Sequence, residues 1–205
     1  MDSGHSIGRS NLYPLGEDQE MRSHKSKYIK RSVPFIKSRI ERVMDFMLKY
    51  VPVSSRILDL GTASDMSNLM KENGYAVINT NGENLDKEYN HLSNLDVDTV
   101  SAFQIFEHML APYNILNTLQ YDYLIASVPL RVWFRGAWKD NLDPWGRHYH
   151  EFEVWQFQML LERTGWDIIK SEIWKIPVSL TLGPRFWLRF ITPTYYIVYC
   201  QKIKR

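Results

Sequence analysis

The sequence is short of cysteine, of long apolar runs and of net charge, and each shortage excludes a class of protein. The single cysteine, Cys200, cannot form an internal disulfide, which favours a reducing compartment. No apolar run approaches the ~18 residues of a transmembrane segment, and the amino terminus lacks the apolar core of a signal peptide. A net charge of +2 gives no basis for general nucleic-acid binding. We therefore expect a globular, cytoplasmic protein.

What is present fits one domain with a substantial core. The 205 residues are 44% hydrophobic and 23% charged, which is ordinary for a globular chain. Residues 1–27 are polar and predict a flexible leader or flap in front of a domain over 28–205. Within that domain, 130–150 and 175–193 are irregular and aromatic, and we predict that they are surface or acceptor-side insertions.

Strands and helices alternate along most of the chain, which predicts a parallel sheet covered by helices. We predict strands near 56–60, 75–79, 97–104, 123–128, 166–174 and 195–201, and helices near 32–50, 66–70, 112–119 and 154–164. The last two strands have no helical pattern between them, so they should form an antiparallel hairpin at one edge. No strand pattern is visible between 81 and 96, and this part of the fold should be abbreviated.

The stretch around Gly61 organises the domain. An apolar strand ends in Asp59-Leu60-Gly61, small residues follow, and a helix begins, as in nucleotide-binding α/β domains. Gly61 allows a sharp turn and leaves room for a ligand, while the amides of the next helix face the same crevice. The pattern G-x-G-x-x-G is not met, because Ala63 and Asp65 replace further glycines. For this stretch alone, an ordinary strand-to-helix turn stays open.

Four motifs in this order resemble the class I S-adenosylmethionine-dependent methyltransferases, especially the small-molecule group typified by the ubiquinone and menaquinone biosynthesis methyltransferases. Residues 57–61 resemble the glycine motif of that family, 97–109 its fourth strand with a Glu-His signature, 121–129 its fifth strand, and 148–166 its His-x-x-x-Phe segment. The resemblance covers about residues 35 to 201. It implies a three-layer, Rossmann-like α/β fold whose mostly parallel seven-stranded sheet ends in an antiparallel hairpin.

The resemblance also implies S-adenosylmethionine as cofactor and S-adenosylhomocysteine as product. The cofactor would be held by Asp59, Gly61, Thr62, Ala63, Asn79, Asn81, Glu83, Gln104, Ile105 and Glu107. Two departures from the family are visible. Asp65 places a charge beside the turn, and an asparagine stands where the family has an acid for the ribose hydroxyls, so Asn79 or Glu83 would take that role.

Three histidines are candidates for catalysis. Methyl transfer depends mainly on alignment, and a general base is needed only when the acceptor loses a proton. His108 belongs to the Glu-His signature, although a structural histidine at a helix start is the alternative. His148 and His150 share one side of an extended segment. With Glu151 they could bind a metal, but no third group of ligands is evident and no metal is assigned.

Tryptophan and arginine are concentrated in the stretch from 130 to 147, which is the candidate acceptor site. Arginine binds carboxylate or phosphate and tryptophan offers a flat apolar face, so we expect a small-molecule, glycan or lipid-linked acceptor with an anionic or aromatic part. Cover for the sheet edge is the alternative. Residues 177–193 could rest on a bilayer surface, or pack in the core or in a homodimer.

Two other functions stay open. A different α/β nucleotide enzyme, such as a dehydrogenase, is disfavoured by the Glu-His signature. A catalytically degenerate methyltransferase-fold scaffold or subunit is supported by Asp65 and by the missing ribose acid.

Overall fold

A mixed sheet of six strands forms the centre of the described part of the chain. The structure, a computed structural model, describes residues 37–139, 146–175, 188 and 191–203. The strands are β1 (Arg56–Asp59), β2 (Ala76–Asn79), β3 (Thr99–Phe103), β4 (Tyr123–Pro129), β5 (Trp166–Trp174) and β6 (Tyr195–Lys202). The predicted leader over 1–27 and most of the predicted insertion over 175–193 lie outside the described residues.

The strand order β2-β1-β3-β4-β6-β5 combines a parallel part with an antiparallel hairpin. Strands β1 to β4 run parallel, and β6 is antiparallel to both β4 and β5. This confirms the α/β, Rossmann-like prediction and the terminal hairpin. Six strands are described where the resemblance implies seven. The stretch between β2 and β3 contains a 3-10 turn, Asn90–Ser93, and no strand, as its turn-rich sequence predicted.

Helices flank the sheet where the apolar spacing predicted them. Helix α1 covers 37–50, and it is followed by α2 (Asp65–Glu72), α3 (Pro112–Thr118) and α4 (Val154–Arg163). In α1, Val43, Met44 and Met47 are buried, so one face of the helix packs on the domain. Gly165, which follows α4, has a φ of +80°, the left-handed conformation that ends helices and that glycine adopts without strain.

Large side chains fill the space between the sheet and the later helices. Phe106, Phe157, Trp166 and Tyr196 are almost completely buried in one cluster with the central strands. The indole of Trp166 also donates a hydrogen bond of 3.0 Å to the Leu116 carbonyl. This packing holds the hairpin against α3.

The strand order reverses direction between β1 and β3. The connection from β1 leads outward to β2, whereas the connection from β3 leads the other way to β4. Ligands of open α/β sheets bind outside the carboxyl ends of the strands at such a switch point. None of the helices in the described ranges is long and apolar enough to cross a membrane.

Candidate active site

A buried carboxylate lies at the switch point. Asp59, the last residue of β1, is 6% exposed, and its Oδ1 accepts a 2.6 Å hydrogen bond from the Ser101 hydroxyl of β3. Its Oδ2 accepts a 3.0 Å hydrogen bond from Asn79 at the end of β2. Burial raises the pKa of Asp59 to about 6, although the hydrogen bonds from Ser101 and Asn79 oppose the shift. The carboxylate is therefore mostly ionised at neutral pH, at the junction of three strands.

The turn after β1 has room that the protein itself does not use. A Cβ at Gly61 would lie 3.7 Å from Ile105 Cδ1 and 4.0 Å from Asp59 Oδ2, which are ordinary contacts, and its φ is not in the left-handed region. Neither backbone conformation nor packing therefore requires glycine here. Thr62 and Ala63, which follow it, are exposed. The remaining reason for a glycine at this position is that a ligand approaches the backbone closely.

Asn79 holds this turn in place. Its side-chain amide donates to the Gly61 carbonyl at 3.1 Å as well as to Asp59, and its Oδ1 accepts from Lys71 Nζ at 3.4 Å. The side chain therefore links β2 to the turn, and the predicted contact with ribose hydroxyls would have to come from another group at this strand end.

Glu83 is such a group. Hydrogen bonds from its own backbone amide and that of Asn81 lower the pKa of its carboxyl, so the group is ionised at neutral pH. The Asn81 bond measures 2.7 Å, and His91 lies 3.3 Å from the other carboxylate oxygen. A Cβ at Gly82 would come within 3.3 Å of Thr62, so this loop touches the β1 turn. A carboxylate has about four acceptor positions, which leaves capacity for hydroxyls.

The end of β3 forms the opposite wall of the crevice. Gln104 has a φ of 59°, and it is the one non-glycine residue with a positive φ in the described segments. Its backbone amide donates to the Ser127 carbonyl at 2.9 Å and its side-chain amide to the Ser127 hydroxyl at 3.2 Å. Such backbone outliers concentrate at functional sites. The turn directs Ile105 towards Gly61.

Asp65 is the first residue of α2 and is exposed to solvent. Ser64 caps the helix, since its hydroxyl accepts from the Ser67 amide at 3.2 Å and the Ser67 hydroxyl accepts from the Ser64 amide at 2.8 Å. A carboxylate in the first turn interacts favourably with the helix dipole. The structure thus gives Asp65 a local role in α2.

Beyond Gln104, a second group of titratable side chains meets. Glu107, His108 and His148 each offer one ligand atom, and these atoms all lie within 4.8 Å of one another. The rings of His108 and His148 are in edge contact, with centroids 4.9 Å apart. Two of the three predicted catalytic histidines are therefore brought together, beside a glutamate that was predicted on the cofactor side.

The glutamate of this cluster is completely buried. In the described part of the chain neither carboxylate oxygen of Glu107 has a hydrogen-bond partner, and the same holds for Nδ1 of His148. Burial raises the pKa of Glu107 to about 8, although its own backbone amide and the charge of Arg39 oppose the shift. Burial also lowers the pKa of His148 to about 4, helped by the charges of His108 and Arg135.

His150, the third predicted catalytic histidine, lies outside the cluster. Its Nε2 is 3.3 Å from the Leu110 carbonyl, and its ring stacks on Phe152 at 5.5 Å. Its backbone amide and that of Tyr149 donate to the Glu107 carbonyl at 3.2 and 2.7 Å, which ties this segment to the end of β3. Glu151 accepts a 3.0 Å hydrogen bond from the Trp138 amide and lies 3.9 Å from His148.

Two arginines and a tyrosine complete the surroundings. Arg39 of α1 lies over the Tyr195 ring at 5.9 Å and donates a 3.5 Å hydrogen bond to Gln104. The charge of Arg135 acts on both Tyr195 and His148. Arg135 comes from the predicted acceptor loop, of which 140–145 lie outside the described residues.

A polar cavity of about 310 Å³ lies at the opposite end of the strands. Asp122, Gly165 and Lys202 are among its lining residues, and they border the amino end of β4 and the open end of the hairpin. Lys202 Nζ is already bonded there to the carbonyls of Leu116 and Thr164. The two buried carboxyl groups with raised pKa values, Asp59 and Glu107, and the positive φ of Gln104 lie at the carboxyl edge, and we place the candidate site there.

The architecture is the Rossmann-like fold that is also found in S-adenosylmethionine-dependent methyltransferases. No protein-family model and no curated protein sequence matches the chain. Solved structures do match it. The 1,6-didemethyltoxoflavin-N1-methyltransferase of Burkholderia thailandensis, crystallised with 1,6-didemethyltoxoflavin and S-adenosylhomocysteine, is similar over 98% of this chain and 99% of that chain, with a TM-score of 0.58 and 15% identity.

Two further structures have the same fold. An S-adenosylmethionine-dependent methyltransferase structure from Listeria monocytogenes matches with a TM-score of 0.53 and 12% identity, over 81% of this chain and 99% of that chain. A methyltransferase structure from Bacillus halodurans C-125 matches with a TM-score of 0.51 and 10% identity, over 82% of this chain and 100% of that chain. These likenesses confirm the predicted fold. None of them ties the chain to the ubiquinone and menaquinone group.

Proposed function

We propose that the protein transfers the methyl group of S-adenosylmethionine to a small-molecule or lipid-linked acceptor. The observation that carries this proposal is the crevice between β1 and β3, where Gly61 leaves unused room between two buried or ionised carboxylates. Since the similar structures share only the fold at this level of identity, the activity is argued from the residues of this chain.

The residues of the crevice fit this cofactor. S-adenosylmethionine has two positive charges, on its sulfonium and its ammonium group, and two ribose hydroxyls. The ionised carboxylate of Asp59 would attract the cationic part, and Glu83 would accept hydrogen bonds from the hydroxyls. Ile105 offers an apolar surface for the adenine ring. The exposed Thr62 and Ala63 would lie beside the ligand, and Asn79 would keep the turn in position.

Bound there, the cofactor supplies an electrophilic methyl group. The protein then has to hold the acceptor in line with it, and alignment alone corresponds to effective molarities of ~10⁵ M or more. His108 and His148 lie next along the same edge of the sheet. For an acceptor hydroxyl, a histidine nitrogen in this position could take the proton.

The acceptor is expected to have an anionic or aromatic part. Arg135 lies near both His148 and Tyr195 and is exposed, so its charge is available to a ligand on that side. Arg131 pairs with Glu153 at 3.4 Å on the surface, and the Trp133 side chain is exposed. A panel of matched anionic and neutral acceptors tests this preference, and equal turnover of the two kinds would contradict it.

Calorimetric titration of the purified chain is the direct test of the cofactor. We expect S-adenosylmethionine and S-adenosylhomocysteine to bind with micromolar Kd, which corresponds to about −8 kcal/mol, and NAD not to bind. Binding of NAD alone would favour a dehydrogenase. If none of the three compounds binds, the catalytically degenerate scaffold or subunit is favoured.

A further inference from the structure

We propose that Glu107, His108 and His148 form a binding site for one divalent first-row transition-metal ion, of the kind represented by Zn²⁺, Mn²⁺ or Co²⁺. One carboxylate and two imidazoles are a ligand set suited to these ions, and three protein ligands leave further positions for water or a substrate oxygen. The site itself does not depend on methyl transfer. Only its use in holding an acceptor oxygen would rest on the proposed function.

The first argument is the unsatisfied carboxylate. Buried polar groups in folded proteins almost always have hydrogen-bond partners, and an exception needs an explanation. Glu107 is completely buried, and among the described residues neither of its carboxylate oxygens has a partner. Nδ1 of His148 is also buried and has no hydrogen-bond partner among these residues. A cation between them would satisfy both groups at once.

The second argument is the orientation of His108. Its Nδ1 lies 3.0 Å from the Arg147 carbonyl, which can only accept, so Nδ1 must carry the hydrogen. In the neutral ring the lone pair is then on Nε2, which lies 3.9 Å from Glu107 Oε1. A histidine that ligates a metal commonly donates its other N–H to a backbone carbonyl, and this arrangement fixes both the tautomer and the ring.

The third argument is that the three ligands are already held close together. Backbone hydrogen bonds join Tyr149 and His150 to the Glu107 carbonyl, and His148 to the Trp138 carbonyl. Bonds of about 2.1 Å to a tetrahedral ion need ligand atoms about 3.4 Å apart. The atoms here lie within 4.8 Å of one another, so rotation of side chains closes the site without movement of the chain.

Titration of the full chain with Co²⁺ tests the site. The protein is purified without a histidine tag, stripped with chelator and titrated in the absence of any cofactor, while visible absorption is recorded. We expect one equivalent of Co²⁺ to bind and to produce ligand-field bands that Zn²⁺ abolishes by displacement. No uptake by the wild type, or bands identical to those of hydrated Co²⁺, would overturn the proposal.

Variants locate the ion. We expect Glu107→Gln and His148→Gln to weaken Co²⁺ binding more than 10-fold, since the loss of a second-shell partner already costs about 10- to 100-fold. His150→Gln is the matched control, because it removes a histidine of the same segment that lies outside the cluster. Equal weakening in the control would place the ion elsewhere and refute the site. If Glu107→Gln does not fold, His148→Gln decides. Since no cofactor is present, failure of the proposed function does not affect the result.

Discussion

At Gly61, the absence of a side chain has no explanation within the protein. We predict that Gly61→Ala folds normally, because the added Cβ meets Ile105 and Asp59 at ordinary contact distances. We also predict that it weakens S-adenosylmethionine binding at least 10-fold, since the methyl group occupies space that the ligand needs. Chemical denaturation and calorimetric titration measure the two effects separately.

Gly136→Ala is the control for this variant. Its Cβ would meet no atom within 4 Å, so neither stability nor cofactor affinity should change. If Gly61→Ala binds the cofactor as the wild type does, the crevice beside β1 is not the binding site. If it unfolds, the turn is tighter than these distances indicate.

Single residues of the candidate site were predictable where residue type and local sequence position sufficed to place them. Asp59, Gly61 and Glu83 follow from a strand end and a turn. The meeting of His108 with His148 did not follow, because it depends on how the segment after β4 returns to the end of β3. The contacts of Arg39 did not follow either, because helical spacing describes the position of its Cα, whereas its long side chain reaches Gln104 and Tyr195.

At the level of elements, α2 is a short helix whose amino end depends on one side chain. Ser64 caps it through the reciprocal bonds with Ser67. We predict that Ser64→Ala lowers the free energy of unfolding by about 1 kcal/mol, because an amide of the first turn loses its acceptor. Urea denaturation measures the change.

The matched comparison is Asn68→Ala in the same helix. Asn68 is exposed and alanine has the higher helix propensity, so this variant should be as stable as the wild type or slightly more stable. Equal losses in both variants would show that α2 tolerates no substitution, and the cap would then have no special role.

The elements themselves were largely predictable from local patterns. The bounds of β5 were predicted as they are observed, since apolar residues at both ends and a preceding glycine mark the strand. The hairpin followed from the missing helical pattern before β6. The described residues form six strands where the resemblance implies seven, and the turn-rich stretch after β2 has no alternation of apolar residues with which to build another strand.

In the molecule as a whole, the buried carboxyl groups, which cost free energy of folding, are concentrated at one edge of the sheet. Asp59 and Glu107 are both buried and both have raised pKa values, and each follows or ends a parallel strand. Among the described residues, no other carboxyl group is buried. A fold that keeps such groups loses stability at that edge, which is expected of a site retained for function.

This cost makes the free energy of unfolding depend on pH, and Asp59 contributes one part of that dependence. Its folded pKa is about 6 and its ordinary value is 3.8. Between these values Asp59 binds more protons in the folded state than in the unfolded state, so its contribution to the free energy of unfolding falls as pH rises through this window and is constant above it. The expected size is on the order of 3 kcal/mol. Glu107, whose pKa is raised to about 8, adds a further fall up to that pH.

Asp59→Asn isolates this effect without a charge, because the asparagine oxygen can accept from the Asn79 amide while its nitrogen donates to the Ser101 hydroxyl oxygen. We predict that the unfolding free energy of the wild type, minus that of the variant, decreases between about pH 4 and pH 6 and then stays level. Urea denaturation at intervals from pH 4 to pH 8 measures it, with Asp65→Asn as a control that removes an exposed carboxyl from α2. A difference that rises with pH would mean that the crevice stabilises the charge of Asp59, and that the carboxylate is already paired before any cationic ligand binds.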